Sequence, residues 1–176
     1  MTALRIWLRG LATTVVAAVA LSGGEPARAQ DNFQTTVRNA ILIDVGTQSV
    51  LFEKAADELQ APASLAKLMT LAVIFEEMRQ GRLLPDQEIV ISQDAWRRGG
   101  APSRTSSMYA AVNSRVKVQD LLRGAIIQSG NDASIALAEA ISGTEANFVP
   151  VMNTRARALG LTLSVFRNAT GLPDPE

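Results

Sequence analysis

Apolar positions in the N-terminal part of the chain fall into short runs parted by turn residues, and further on into longer runs of helical character. From Ala40 to Asp44 and from Ser49 to Glu53, residues rich in Ile, Leu and Val flank Val45-Gly46-Thr47-Gln48, the pattern of two strands joined by a turn. Ala55 to Ala63 is a polar connector that holds Pro62. A helix is predicted from near Ser64 to about Gln80. Its residues Leu65, Leu68, Met69, Leu71, Ala72, Val73, Ile74 and Phe75 are apolar nearly all round, which predicts burial at a domain centre. Gly81 is a natural C-cap, and Pro85 prevents the helix from resuming.

Glu88 to Ile91 reads as a short strand, and Ser92 as the cap of a helical turn containing Trp96. Residues 97–114, rich in Gly, Ser and Arg, read as a long surface loop, a class that often carries function. A helix is predicted from about Val118 to Gln128, with Leu121, Leu122, Ala125 and Ile126 on its apolar side. Ser129-Gly130-Asn131 interrupts it, and a second helix runs from Asp132 to Ile141. Gly143 ends that helix, Thr144 or Glu145 opens another that closes at Gly160, and residues 168–176 are turn chemistry throughout. There is no internal repeat and no low-complexity tract.

The first 29 residues read as a secretory signal instead of fold. Arg5 and Arg9 form a positive n-region, Leu11 to Leu21 an apolar stretch too short to span a membrane, and Ala27-Arg28-Ala29 a cleavage site before Gln30. The expected location is therefore the bacterial periplasm. Removing this segment takes three Arg and one Glu from a chain with 17 basic and 17 acidic residues, leaving it slightly acidic. That balance, with no basic run, argues against nucleic acid or anionic lipid as a partner. With no cysteine there is no disulfide framework and no thiol for lipid attachment, so no membrane anchor is expected in this chain.

The chain also lacks histidine, which removes Ser-His-Asp and Cys-His catalysis and leaves lysine as the obvious base. Ser64 and Lys67 stand three residues apart, on one face of a helix, where a hydroxyl can meet an amine. The S-x-x-K pattern is weak by itself, expected by chance on the order of once in a chain of this length. Ser114 and Lys117 match it as well, but after a Gly- and Ser-rich loop instead of before an apolar run. A serine capping a core helix is the plainer reading of Ser64. Ser129-Gly130-Asn131 is a tight turn held between two helices, a rigid mount for side chains or an ordinary helix corner with Asp132 as the charge opening the next helix.

Taken together, Ser64-Leu65-Ala66-Lys67 and Ser129-Gly130-Asn131 resemble the first two motifs of the penicillin-recognising serine enzymes. They are most similar to the low-molecular-mass penicillin-binding proteins, the D-alanyl-D-alanine carboxypeptidases. Flanking stretches share the resemblance: Ile43-Asp44 with Val50-Leu51-Phe52-Glu53-Lys54, Leu121-Leu122-Arg123-Gly124, and Phe166-Arg167-Asn168 with Gly171-Leu172-Pro173-Asp174. The resemblance implies an α+β, β-lactamase/transpeptidase-like fold, of which this chain would hold the N-terminal hairpin and the helical part. It implies that Ser64 attacks the carbonyl between two terminal D-alanines of a peptidoglycan peptide, or the lactam carbonyl of a β-lactam, and forms an acyl-enzyme. Lys67 would take the serine proton, which needs an amine with a lowered pKa. Ser129 would pass a proton to the leaving amine, and Asn131 would hold Lys67 and the substrate amide. The backbone N–H of Ser64 would form half of an oxyanion hole. No cofactor is implied.

Two departures stand out. The family usually has Thr-Gly in the hairpin turn, where this chain has Thr47-Gln48, with its glycine earlier at Gly46. Its third motif, Lys-Thr-Gly on a strand beside the nucleophile, is absent from the 176 residues, as are the strands expected to complete the sheet. A truncated chain is the expectation. A serine β-lactamase is one alternative. The class most similar in layout needs a glutamate base for deacylation, and Val165, Phe166 and Arg167 occupy its place, so a long-lived penicilloyl adduct is expected. A catalytically silent envelope protein is another. A zinc peptidase is set aside for want of His and Cys ligands.

Overall fold

The computed structural model describes residues 33–175. The expected signal segment lies outside them. The chain divides into two compact units, one ending at Glu58 and one beginning at Leu59.

In the first unit, β1 (Ala40–Ile43) and β2 (Val50–Lys54) pair antiparallel, with Ala40 opposite Lys54 and a bulge between Leu42 and Ile43. The turn is fixed by Asp44, whose carboxylate accepts from both the N–H and the hydroxyl of Thr47 at 2.6 Å, which lowers its pKa. Gln48, with φ of 59°, takes the left-handed backbone that a glycine would adopt freely. The departure at this position is thus confined to the turn, and the strands pair regardless. Phe33 and Phe52 meet edge to face with ring centroids 5.0 Å apart.

The second unit is helical around one core. A 3₁₀ turn (Ala63–Ala66) leads into α1 (Lys67–Arg79), followed by β3 (Glu88–Val90), α2 (Gln93–Gly99), β4 (Arg115–Lys117), α3 (Val118–Ile127), α4 (Asn131–Ser142) and α5 (Glu145–Ala158). β4 pairs antiparallel with β3, and Ile91 extends the ladder by exchanging main-chain hydrogen bonds with Ser114 and Asn113. This strand falls beside the segment expected to be a loop; three alternating residues are too short a run to show period two. Ser92 caps α2 as expected, accepting from Ala95 N at 2.9 Å, and Thr144 caps α5 through Asn147 N at 3.1 Å.

The helix buried on every side is α4, which packs against α1, α2, α3 and α5. Ala133 to Ala138 are fully covered, their small side chains alternating with Ile135 and Leu137 so that neighbours can approach closely. At Gly99 of α2 the approach is so close that a Cβ would lie 2.3 Å from Asp132 N. Helix α1, expected to be the central one, is buried on one side only. Met69, Val73 and Ile74 enter the core, while Leu68 and Phe75 remain exposed, as does Leu65 in the preceding 3₁₀ turn. Its apolar residues outnumber the contacts available on the side where α4 and α5 lie. Among the described residues no helix is long and apolar enough to cross a membrane.

Candidate active site

Ser64 stands in the 3₁₀ turn that precedes α1, not in the α-helix predicted from it. Ala63, with φ of 48°, is left-handed, so regular α-helix cannot extend back through it. The tighter winding keeps i and i+3 aligned, and the pair survives the change of helix type. Lys67 Nζ lies 3.4 Å from Ser64 Oγ. Ser64 is exposed, whereas Lys67 is 4% exposed. Burial holds the Lys67 amine below the ordinary lysine range. Burial thus favours the neutral amine relative to an exposed lysine, and the exposed hydroxyl beside it is open to a substrate.

Lys67 is held from the other end of the chain. Its Nζ donates to the carbonyl of Thr170 at 2.7 Å, and Thr70, one turn on, donates to the carbonyl of Ala169 at 2.8 Å. The turn that carries these carbonyls is folded by Asn168, whose Oδ1 accepts from Thr170 N, Thr170 Oγ1 and Gly171 N at 3.1, 3.0 and 2.7 Å. Gly171 then lies flat on the 3₁₀ turn: a Cβ there would stand 1.8 Å from Ala63 O. In the sequence, residues 168–176 read as turn chemistry and nothing marks Thr170 as a site residue. A backbone carbonyl leaves no residue-type signal.

Ser129 and Asn131 sit together on the corner between α3 and α4. Ser129 is left-handed, with φ of 53°, a conformation that costs a serine about 1 kcal/mol. Gly130 N donates to Gly124 O at 3.0 Å and folds the corner back on α3. Asp132 braces it from beneath: fully buried, it accepts from Ser107 Oγ, Met108 N, Ala110 N and Ala133 N at 2.8 to 3.1 Å. Residues expected to be a surface loop are therefore pinned to the start of α4. Asn131 N donates to Ser106 O, and its Nδ2 to Thr105 Oγ1, both at 2.9 Å. Its Oδ1 is buried with no hydrogen-bond partner, so Lys67 bonds Ser64 and Thr170, not Asn131.

The second S-x-x-K match resolves differently. Ser114 turns its hydroxyl to Ala111 O, and Lys117 ends β4 beside Asp86 at 3.5 Å. Lys117 is exposed, where Lys67 is buried. Where a deacylating glutamate would be expected, Phe166 is bound through both main-chain groups by the Asn153 side chain, at 2.9 and 2.8 Å.

The chain is similar to known proteins in sequence and in fold. A family profile described as D-alanyl-D-alanine carboxypeptidase matches residues 25–176. The chain is 39% identical over 137 residues to the D-alanyl-D-alanine carboxypeptidase DacF of Bacillus subtilis, covering 78% of this chain and 34% of that protein. The crystal structure of the D-alanyl-D-alanine carboxypeptidase DacD of Francisella tularensis superposes with a TM-score of 0.77 at 36% identity, covering 90% of this chain and 37% of that one. Penicillin binding protein 5 of Haemophilus influenzae does so with a TM-score of 0.75 at 38% identity, over 81% of this chain and 41% of its own. The chain thus spans little more than a third of the length of these relatives. Their likeness, at this identity and fold similarity, bears out the α+β transpeptidase-like expectation, and the chain belongs to the D-alanyl-D-alanine carboxypeptidase family.

Proposed function

We propose that this chain carries the nucleophile half of a serine-type D-alanyl-D-alanine carboxypeptidase, acting on peptidoglycan stem peptides and acylated by β-lactams. The observation that carries the reading is the exposed Ser64 hydroxyl 3.4 Å from the amine of a Lys67 whose pKa burial lowers. In this reading Lys67 takes the Ser64 proton as Oγ bonds to the substrate carbonyl. The Ser64 N–H faces the oxygen that gains charge. Ser129 then passes a proton to the departing D-alanine amine, Asn131 holds the substrate amide, and water releases the acyl group from Ser64. No step calls for a cofactor. The signal segment ending at Ala29 supports export to the periplasm, where such peptides lie.

The β-lactamase alternative is not favoured. The relatives are carboxypeptidases by name, and no carboxylate stands at residues 165–167. The test is the intact mass of the chain, wild type and Ser64→Ala, after incubation with benzylpenicillin. One penicillin mass added to the wild type alone supports the reading. A folded wild type with no adduct overturns it and leaves a catalytically silent envelope protein. Rapid release of penicilloic acid would restore the β-lactamase.

A further inference from the structure

Glu145 is a charged residue with no part in the chemistry above, yet it is only 5% exposed. It opens α5, and its two oxygens have different partners: Oε2 lies 2.7 Å from Arg98 Nη2, and Oε1 accepts from Ala169 N at 2.8 Å. The other main-chain polar group of Ala169, its carbonyl, accepts from Thr70. Ala169 is therefore gripped through both of its main-chain polar groups, by a side chain from α5 and one from α1. The N–H and hydroxyl of Thr170 are taken by Asn168. That leaves the Thr170 carbonyl to face Lys67 Nζ at 2.7 Å.

We propose that Glu145 is a positioning residue for Lys67, acting through Ala169, the residue that leads into the Thr170 carbonyl. This rests on the reading of Lys67 as the base for Ser64. A neutral amine has one lone pair, and an N–H committed to Thr170 O fixes rotation about Cε–Nζ so that the lone pair can turn to Ser64. The same turn lies against the amine of the buried Lys67. Arg98 and Asp94 on α2 and Glu139 on α4 are the charged groups near Glu145. Burial alone accounts for the lowered pKa of Lys67, so release of the turn acts on it through water entry.

The experiment compares Glu145→Gln with Glu145→Asp in the full chain. The lysine side-chain nitrogens are titrated by NMR, and the Lys67 signal is identified by its loss in Lys67→Arg. Gln keeps an oxygen at the Oε1 position and loses the charge facing Arg98; Asp keeps the charge but withdraws it from Ala169 by one methylene. Glu145→Gln is expected to leave the Lys67 midpoint at its wild-type position. Glu145→Asp is expected to move it up toward the ordinary lysine value and to slow penicillin acylation by about tenfold or more. An unmoved midpoint in Glu145→Asp overturns the proposal, as does an equal shift in Glu145→Gln, which would assign the effect to the ion pair with Arg98. Should Glu145→Asp not fold, Thr70→Val against Thr70→Ser tests the other grip on Ala169 in the same way, with Val shifting the midpoint and Ser not. The titration needs no penicillin, so a wild type that forms no adduct would end the proposed function while still deciding the role of Glu145.

Discussion

The amine of Lys67 donates to the main-chain carbonyl of Thr170 at 2.7 Å, across 103 residues of sequence. This contact closes the second unit on itself: the turn at 168–171 is laid over the start of α1, where the serine and lysine are. The site is thus not a property of one helix. Lys67 is buried, and its amine meets a turn that lies 103 residues further along the chain.

The first consequence concerns Gly171. It combines φ of 77° with a Cβ direction that ends 1.8 Å from Ala63 O, whereas Gly160, at φ of 81°, has nothing within 4 Å of its Cβ position. Gly160→Ala is expected to cost about 1 kcal/mol, the backbone term alone. Gly171→Ala must also lift the turn from the 3₁₀ segment, so its cost should exceed about 2 kcal/mol. Urea unfolding of the two variants measures the difference. Equal costs would mean that the turn does not rest on Ala63.

Asp132 supports the corner that presents Ser129 and Asn131. Its carboxylate is fully buried and serves Ser107, Met108, Ala110 and Ala133. Asp132→Ala strands those donors and is expected to destabilise the chain by about 3 kcal/mol or more. Asp132→Asn keeps one acceptor oxygen but turns an N–H₂ on another donor, and should fall between. Chemical denaturation checks the order. A cost below about 1 kcal/mol for the alanine variant would show that the loop is not pinned there.

Thr105 fixes the Asn131 amide, accepting from its Nδ2 at 2.9 Å. Thr105→Val keeps the shape and removes the acceptor. It should cost about 1 kcal/mol and slow acylation by penicillin, because the amide is then free to rotate. Thr105→Ser restores the oxygen and should restore the rate. Acylation of Thr105→Val at the wild-type rate would separate Asn131 orientation from the chemistry.

Much of this arrangement is legible in the sequence because it is local. The hairpin, the caps at Ser92 and Thr144 and the glycine stop at Gly143 depend on neighbours within a few residues. So does the Ser64–Lys67 spacing, which either helix type preserves. What was not legible depends on partners far along the chain. Glu145 reads as an ordinary acidic residue at a helix start, and its bond to Ala169 N spans 24 residues. Asp132 reads the same way until Ser107 to Ala110 are seen folded onto it. Leu65, Leu68 and Phe75 show the converse: their pattern predicts burial, and in the described residues they are exposed. Apolar periodicity says what a residue can bury against, not whether a neighbour is there.

The titration of Lys67 makes folding stability depend on pH. Burial lowers its folded-state pKa from the ordinary 10.5, which the unfolded chain retains. Between the two values the unfolded chain binds more protons than the folded one. Folding stability attributable to Lys67 therefore rises with pH across that window and levels off above 10.5. Lys67→Met lacks this dependence and loses acylation altogether. Other groups titrate over the same range in both proteins, so the difference between them isolates Lys67. Urea unfolding at neutral pH and at about pH 10 should find the wild type gaining stability relative to Lys67→Met as the pH is raised. A difference that stays constant, or that moves the other way, would mean that the amine is protonated in the fold as readily as in water, and a protonated amine cannot take the proton of Ser64.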